Sequence, residues 1–332
     1  MPIVAGEILW KKPDEDSDAS SNGGRLTYVV SPTDVANNDF PNLSQAELTA
    51  GLTRYRKRFM AVANNDDIPA NSTELYMRKH SPADDSVTFF PGTQRDTQTD
   101  LLGTERQYGA GQLATNVIAG ATTLVVNTEG VALNYFRDGD TILISDKTSA
   151  TDPSNNRENA TITGAPVYSG DQATITITAG LTNGYLAANT VVSSIYNAGT
   201  VEATADNYAV VSAAGTYDDT TYPVTVDHIG TVEQTWTVTF TSATAFGVVG
   251  DTIGSVGSGV IGADFTPVNA DEGEKYFTIL SAGWGGTWAV SDTFSFQTHP
   301  CAVPVWFKQV VAPATAAFSS NNPVVAVRLQ TA

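Results

Sequence analysis

The stretch QATITIT at residues 172–178 alternates strictly between two kinds of side chain. In a β-strand, Ala173, Ile175 and Ile177 would lie on one face and the threonines on the other. Similar short apolar runs, separated by Gly, Asn and Asp, continue from about Gly111 toward the C-terminus. Helical periodicity is scarce, so the sequence predicts an all-β fold.

The clearest helix signal is the stretch LSQAELTAGL. Ser44 and Glu47 stand at capping-box spacing, and Gly51 is placed to end the segment. This pattern predicts one short helix. The polar segment ahead of it, DEDSDASSNGGRL, predicts a loop or an extended N-terminal arm.

At 332 residues the chain exceeds the size of one ordinary core, so a multi-domain protein is expected. Residues 1–110 combine the arm and the helix with strands of a β-domain that the C-terminal strands complete. Residues 111–198 contain five or six short strands, which predict a small β-barrel. Residues 199–332 contain seven strands at the spacing of a β-sandwich, followed by one C-terminal strand.

Charge and cysteine content exclude several classes of protein. A net charge of −18 opposes binding to phosphate backbones, so no specific nucleic-acid partner is expected. The single cysteine, Cys301, excludes an internal disulfide framework. The start, MPIVAGEILWKK, lacks a signal-peptide pattern, and no apolar run approaches the roughly 20 residues of a membrane helix. The sequence therefore predicts a chain made in a cytoplasm, with no membrane partner.

Two motifs resemble cofactor or metal sites but fail in context. GSGVIG, with Gly257, Gly259 and Gly262, matches the dinucleotide fingerprint, but no helical pattern follows it. The residues DEDSD have the first spacings of a calcium loop, but Ala19 and Arg25 occupy the positions that need Gly and Glu. A glycine-rich hairpin or loop and a solvated acidic loop are the better interpretations, and no cofactor or metal is predicted.

Catalytic residues are not apparent. His80, His228 and His299 are far apart, and no two of them have the spacing of metal ligands. Cys301 follows His299 closely, but nucleophilic cysteines usually pair with residues distant in sequence, so a small buried side chain is expected. The sequence predicts that the chain is not an enzyme.

Aromatic residues leave one alternative open. Trp284 and Trp288 lie in the stretch GWGGTW, which would present two indoles on a loop in a sugar-binding module. Core packing is the competing interpretation, because aromatic residues dominate the cores of β-sandwiches.

The stretch TRYRKRF at 53–59 concentrates four cations in an acidic chain. As a strand, it places Arg54, Arg56 and Arg58 on one face, together with Met60 and Val62. Three interpretations follow: a face paired with acids of the same chain, a protein interface, and a nucleic-acid contact, the last opposed by the charge of the chain. In the interface hypothesis, the acidic residues at 14–18 of a neighbouring copy would pair with these arginines. The predicted partner-interface residues are Trp10, Arg54, Tyr55, Arg56, Lys57 and Arg58.

Four stretches carry a resemblance to a known class of proteins: TRYRKRF, FFPGTQRDTQTDL, FRDGDTILISD and IGTVEQTWTVTFTSATAF. They resemble structural proteins of tailed bacteriophages and Mu-like prophages, over a range from about Gly6 to Val311. The resemblance brings no catalytic motif and no functional residues with it.

This resemblance implies a non-enzymatic virion protein, assembled in the bacterial host cytoplasm. We expect a ring of six or twelve copies at the neck or collar, in contact with connector, tail terminator or sheath proteins. A baseplate, sheath-associated or capsid decoration protein is an alternative position in the same particle. A carbohydrate-binding adhesin is the alternative from another class.

Overall fold

A computed structural model describes residues 2–33, 35, 38–129, 134–149, 152–319 and 321–331. Strands make up 48% of the chain and helix 6%, whereas an average globular protein has about 20–25% strand. The predicted all-β fold class is confirmed.

The described residues contain one α-helix, four short 3₁₀ helices and 23 strands. Helix α1 spans Gln45–Ala50, and the 3₁₀ helices span Ala5–Glu7, Gln98–Asp100, Ala187–Asn189 and Ser281–Gly283. The strands are β1 Ile8–Glu15, β2 Gly23–Val30, β3 Leu52–Val62, β4 Ala70–Lys79, β5 Asp85–Pro91, β6 Ala110–Leu113, β7 Thr123–Asn127, β8 Thr141–Ser145, β9 Arg157–Thr161, β10 Val167–Ser169, β11 Gln172–Thr176, β12 Val191–Val201, β13 Thr204–Val211, β14 Gly215–Tyr217, β15 Gln234–Phe240, β16 Ala245–Gly250, β17 Gly254–Val260, β18 Val268–Asn269, β19 Glu274–Lys275, β20 Trp284–Gly286, β21 Thr293–His299, β22 Ala302–Val311 and β23 Val324–Thr331.

The short helix forms where the capping residues predicted it. The Ser44 side chain accepts a hydrogen bond from the Glu47 backbone, and the Glu47 carboxylate accepts one from the Ser44 backbone. Gly51 follows the last turn with a φ of 73°, a conformation that favours glycine. The helix prediction is confirmed.

The first sandwich is built from both ends of the chain. Its five-stranded sheet has the order β2-β1-β3-β22-β5, and it faces β12, β4 and β23 of a second sheet. Met60, Leu75, Phe89 and Val305 are among the fully buried side chains between the two layers. β22 and β23 therefore supply strands to the N-terminal block.

The polar stretch forms a loop, one of the two predicted alternatives, but the extended N-terminal arm is replaced by a hairpin. β1 and β2 pair with each other, and β1 pairs with β3 from Ile8↔Val62 to Lys11↔Phe59. The polar stretch forms only the connection and the strand ends, while the apolar residues on either side of it join the sheet. Trp10 packs against Phe307 with ring centroids 5.8 Å apart.

The middle segment has its own core, but the closed barrel predicted for it is not formed. Its strands follow the order β10-β11-β7-β6-β12, with β8 pairing both β12 and β9. β9 and β11 meet only at one isolated bridge beyond their ends, Ile162↔Ile177, so no continuous ladder closes the sheet. The far half of β12 pairs with β4 instead, which ties this sheet to the first sandwich. The segment limit predicted at residue 198 falls inside β12.

The alternating pattern at 172–178 has the predicted orientation. Ala173 and Ile175 are fully buried and Ile177 is nearly so, while Thr174 and Thr176 between them are exposed.

The third block is a five-stranded sheet of order β13-β21-β15-β16-β17. One face packs on a core that includes Trp236, Phe246, Phe277 and Phe294. The pairs β14–β20 and β18–β19 and the loops between them cover that core from the other side. This arrangement resembles a sandwich with one complete layer.

Candidate assembly surface

Strand β3 carries the four cations of the basic stretch, three of them almost fully buried. Arg56, Lys57 and Arg58 are 6%, 0% and 1% exposed. The alternation of the strand places Arg54, Arg56 and Arg58 on one face and Lys57 on the other, as predicted. Because a buried charge is costly unless it is paired, each cation needs a carboxylate within reach.

Arg58 is held by two carboxylates of the loops that cover β3. Its Nη1 donates to Asp16 Oδ1 across 2.8 Å, and its Nε donates to Asp39 Oδ1 across 2.8 Å. Burial pushes the pKa of Asp16 upward, but hydrogen bonds from Arg58 and Lys12 outweigh it and lower the pKa. Asp16 is therefore an ionised partner rather than a solvated loop residue.

The other two arginines are paired in the same way. Arg56 Nη2 lies 2.7 Å from Asp18 Oδ1. Arg54 donates to Glu47, the capping residue of α1. The arginine face of β3 thus fixes both the acidic turn between β1 and β2 and the short helix.

Lys57 occupies the opposite face of the strand, where a single carboxylate serves two donors. Its Nζ lies 2.6 Å from Asp96 Oδ1 and donates to the Gly24 carbonyl. Trp306 Nε1 donates to the second oxygen of Asp96 across 2.9 Å. Burial lowers the pKa of Lys57, and the ion pair with Asp96 opposes that shift.

The six predicted interface residues therefore do not form an exposed basic patch. Their cations are balanced by acids of the same chain, including the segment at 14–18 that the interface hypothesis assigned to a neighbouring copy. Tyr55 and Trp10 are half-buried. Contact between this region and a partner stays a prediction, while its observed role is to fix loops onto the first sheet.

A different surface is open to a partner, the outer face of the five-stranded sheet of the third block. In β15, Trp236, Val238 and Phe240 point into the core, so Thr237 and Thr239 point outward. Ladder pairing places uncharged residues beside them on every neighbouring strand. The ten central positions, in two rows across β13, β21, β15, β16 and β17, are Val211, Thr293, Thr239, Gly247, Ser258 and Ala209, Ser295, Thr237, Val249, Ser255. We call these ten residues the neutral face.

The neutral face contrasts with the rest of a chain whose net charge is −18. Val211 is 69% exposed and Val249 is 49% exposed, so apolar side chains are left uncovered there. Residues 234–263 include one charged residue, Asp251. The sequence shows this uncharged run, but it does not show that strand pairing brings the outward-facing residues of five strands together.

One edge of this sheet is also uncovered. β17 pairs with β16, and no other strand of the described residues lies on its other side. Its sequence, GSVGSGV, lacks the lysine or proline that commonly protects a strand edge from pairing. Val260, at its end, is 47% exposed.

The glycine motif and the acidic motif take part in ordinary strand and turn structure. Gly257 and Gly259 lie within β17, and the next element is the strand β18, so no helix follows the glycine motif. Asp14 accepts a hydrogen bond from the Arg25 backbone. Among the described residues, no group of three or more His, Cys, Asp or Glu side chains is arranged to hold a metal ion.

Cys301 and His299 do not form a dyad. The Cys301 thiol donates to the Val201 carbonyl across 3.6 Å, and burial raises its pKa to about 12. His299 is paired instead with Glu233, at 2.7 Å, and with Asp206, at 3.1 Å. The expectation that Cys301 is a small buried side chain is confirmed.

Trp284 and Trp288 do not form an exposed indole pair. Trp288 is 2% exposed and stacks on Phe240 with centroids 4.2 Å apart. Trp284 is half-buried and meets Trp288 edge-on at 5.4 Å. Both indoles belong to the core of the third block, as the packing interpretation predicted.

Ion pairs join the third block to the first sheet. Each pair takes its cation from the N-terminal block and its carboxylate from the third block: Lys11–Glu272, Arg25–Asp251 and Arg95–Glu233. Glu233 also holds His299, so one of these pairs shares its carboxylate with a histidine whose pKa that carboxylate raises.

Comparison with known proteins gives no relative: no protein-family model, curated sequence or solved structure matches the chain. Within the part of the chain that the structure describes, no helix combines the length and apolar character needed to span a membrane.

Proposed function

We propose that this chain is a non-enzymatic structural protein of a tailed bacteriophage virion. It forms a ring of six or twelve copies at the neck or collar, between head and tail, and contacts connector, tail terminator or sheath proteins. Its resemblance to phage structural proteins and its multi-sheet β architecture both support this assignment.

The neutral face is the observation that carries the proposal. Two copies of a chain with charge −18 repel each other at most orientations. They approach with the least repulsion and the least desolvation of charge where neither surface is charged. The neutral face and the β17 edge offer such a surface on the outside of one sheet. Head-to-tail use of that surface, against a different patch on the next copy, generates a ring when the rotation between copies closes.

Location in the particle is tested by labelling. Virions purified from the host are probed with a gold-labelled antibody against this chain and imaged by electron microscopy. We expect label at the head–tail junction. Label at the baseplate, along the sheath or on the capsid surface would show that the chain occupies that position instead of the neck. Unlabelled particles would contradict the assignment to the virion.

Assembly through the neutral face is tested by adding charge. Thr237→Asp and Ser295→Asp are neighbours on this face. The double variant is expected to keep the thermal stability of the wild type but to lose the oligomer in light scattering. The matched control adds the same two charges to outward-facing threonines of the middle block, Thr174→Asp and Thr176→Asp, and keeps the oligomer. An unchanged oligomer in the first variant contradicts the contact.

The alternative of a sugar-binding adhesin loses its structural basis, because the indoles it required are packed in the core. The other positions in the particle are separated by the labelling experiment alone.

A further inference from the structure

We propose that the C-terminal strand β23 is exchanged between copies, so that residues 324–331 of one chain pair with β4 of the next. The inference rests on the proposed function, because the strand that pairs with β4 would come from a second copy of this chain. It adds a specific acceptor, the β4 edge, and a specific donor, the last strand.

β23 is a detachable element of the first sandwich. It lies at the end of its sheet and, among the strands that the structure describes, pairs with β4 alone, from Val324↔Lys79 to Thr331↔Ala70. Val325, Val327 and Leu329 pack against the main core. Since the opposite edge of β4 is occupied by β12, only the β23 position completes the sheet there.

The connection before β23 is longer than its path within one chain requires. Val311, the last residue of β22, pairs with Asp85. Val324, the first residue of β23, pairs with Lys79. The two ends to be joined therefore lie beside Asp85 and Lys79, which are themselves joined by only the five residues 80–84.

The connection uses the twelve residues 312–323 for this span. A segment of twelve residues reaches about 40 Å when extended. The surplus length is what an exchanged strand needs in order to reach a neighbour, and exchange of an identical element is a low-cost route to association between copies.

The segment has few contacts with the rest of its chain up to residue 319. Its first part, APATAAFS at 312–319, is almost entirely exposed, and Phe318 is 52% exposed. Among the described residues, this part has one backbone hydrogen bond to another element, which the Ala314 N–H donates to the Thr49 carbonyl across 3.2 Å. Small side chains and exposure allow it to be redirected without loss of a core.

The contacts that set the register of β23 come from the end of the connection and from the strand itself. Asn321 Nδ2 donates to both oxygens of Asp85, at 2.8 and 2.9 Å. Arg328 forms an ion pair with Glu74. These contacts remain the same whether β23 comes from the same chain or from the next one, so exchange preserves the packing and differs only in connectivity. Each copy gives one strand and receives one, which is a head-to-tail contact of the kind that closes a ring.

A disulfide across β4 and β23 reports which chain supplies the strand. Glu74 and Arg328 are directly paired, and cross-strand partners have a separation suited to a disulfide. The full-length Glu74→Cys, Arg328→Cys variant is oxidised, denatured and run on a non-reducing gel. Asn71→Cys with Gln330→Cys, a second register pair, serves if the first variant folds poorly.

Exchange predicts covalent dimers and larger species that reduce to one chain. The control is Val167→Cys with Thr174→Cys, a pair in the tight β10–β11 hairpin that cannot be exchanged and yields only a link within one chain. Single-cysteine variants account for any reaction of Cys301. A link confined to one chain, or no link at all, overturns the exchange.

Light scattering of the wild-type chain separates this inference from the proposed function. If the wild type forms rings of six or twelve copies but the disulfide forms within one chain, the exchange is wrong and the proposed ring stands. If the wild type stays monomeric at all concentrations, the proposed ring is wrong as well.

Discussion

Arg58 Nη1 lies 2.8 Å from Asp16 Oδ1, although 42 positions separate the two residues in the chain. The guanidinium is buried and Asp16 is partly covered, so this pair joins the turn between β1 and β2 to the centre of the first sheet. Asp16 also lies within 3.7 Å of the Arg56 guanidinium. One carboxylate therefore balances much of the charge of the basic strand.

Loss of the Asp16 carboxylate is expected to destabilise the monomer. Asp16→Asn should lower the free energy of unfolding by about 3 kcal/mol at pH 7, because it leaves buried arginines with less compensation. Asp18→Asn, at a 52% exposed side chain, is the control and should cost less than about 1 kcal/mol. Urea denaturation measures both, and equal midpoints for the two variants would contradict the central role of Asp16.

Stability should depend on pH through His299. Its hydrogen bond to Glu233 raises the pKa of His299, so the folded state favours the protonated ring. The resulting stability is fully present below the unfolded pKa of about 6.5 and is lost as pH rises through the higher folded value. The difference in free energy of unfolding between wild type and His299→Gln should therefore be larger at pH 6 than at pH 8.5.

His228 supplies a control of opposite sign. Burial lowers the pKa of His228, so the folded state favours the neutral ring. Its contribution is present above about pH 6.5 and is lost as pH falls through the lower folded value. The difference between wild type and His228→Gln should shrink between pH 8 and pH 5.5. The same pH trend in both variants would refute this assignment of the two rings.

Trp288 is expected to act through packing. Trp288→Ala should cost about 3–5 kcal/mol, because it removes a buried indole stacked on Phe240. Val290→Ala, at a 66% exposed side chain nearby, should change stability by less than about 0.5 kcal/mol. Thermal unfolding compares them. A stable Trp288→Ala variant that had lost binding to glycans would instead revive the sugar-binding alternative.

Close approach of strands in the middle block should make Gly111 intolerant of a side chain. A Cβ atom there would lie 2.1 Å from the Asn127 carbonyl oxygen of β7, so Gly111→Ala must displace backbone. We expect a loss of about 2 kcal/mol or more. Gly262→Ala, where nothing lies within 4 Å, should be neutral or slightly stabilising. Equal unfolding midpoints for the two variants would show that β6 and β7 can separate freely.

The sequence by itself determined the features that depend on neighbours along the chain. The cap of α1 required only Ser44, Glu47 and Gly51 within one short segment. The orientation of Ala173 and Ile175 followed from alternation, which fixes the two faces of a strand wherever that strand is placed. For the same reason the sequence predicted correctly that Arg54, Arg56 and Arg58 share a face.

Only the tertiary structure decided what covers each face. Alternation cannot distinguish an arginine facing water from one facing Asp16 or Asp39, because those partners approach from distant segments. It also could not show that the arm is a hairpin, that the middle sheet stays open, or that the threonines of β15 lie on a neutral face. Each of these outcomes depends on pairing between strands far apart in sequence, and the free energy of that pairing comes from long-range contacts that no local pattern records.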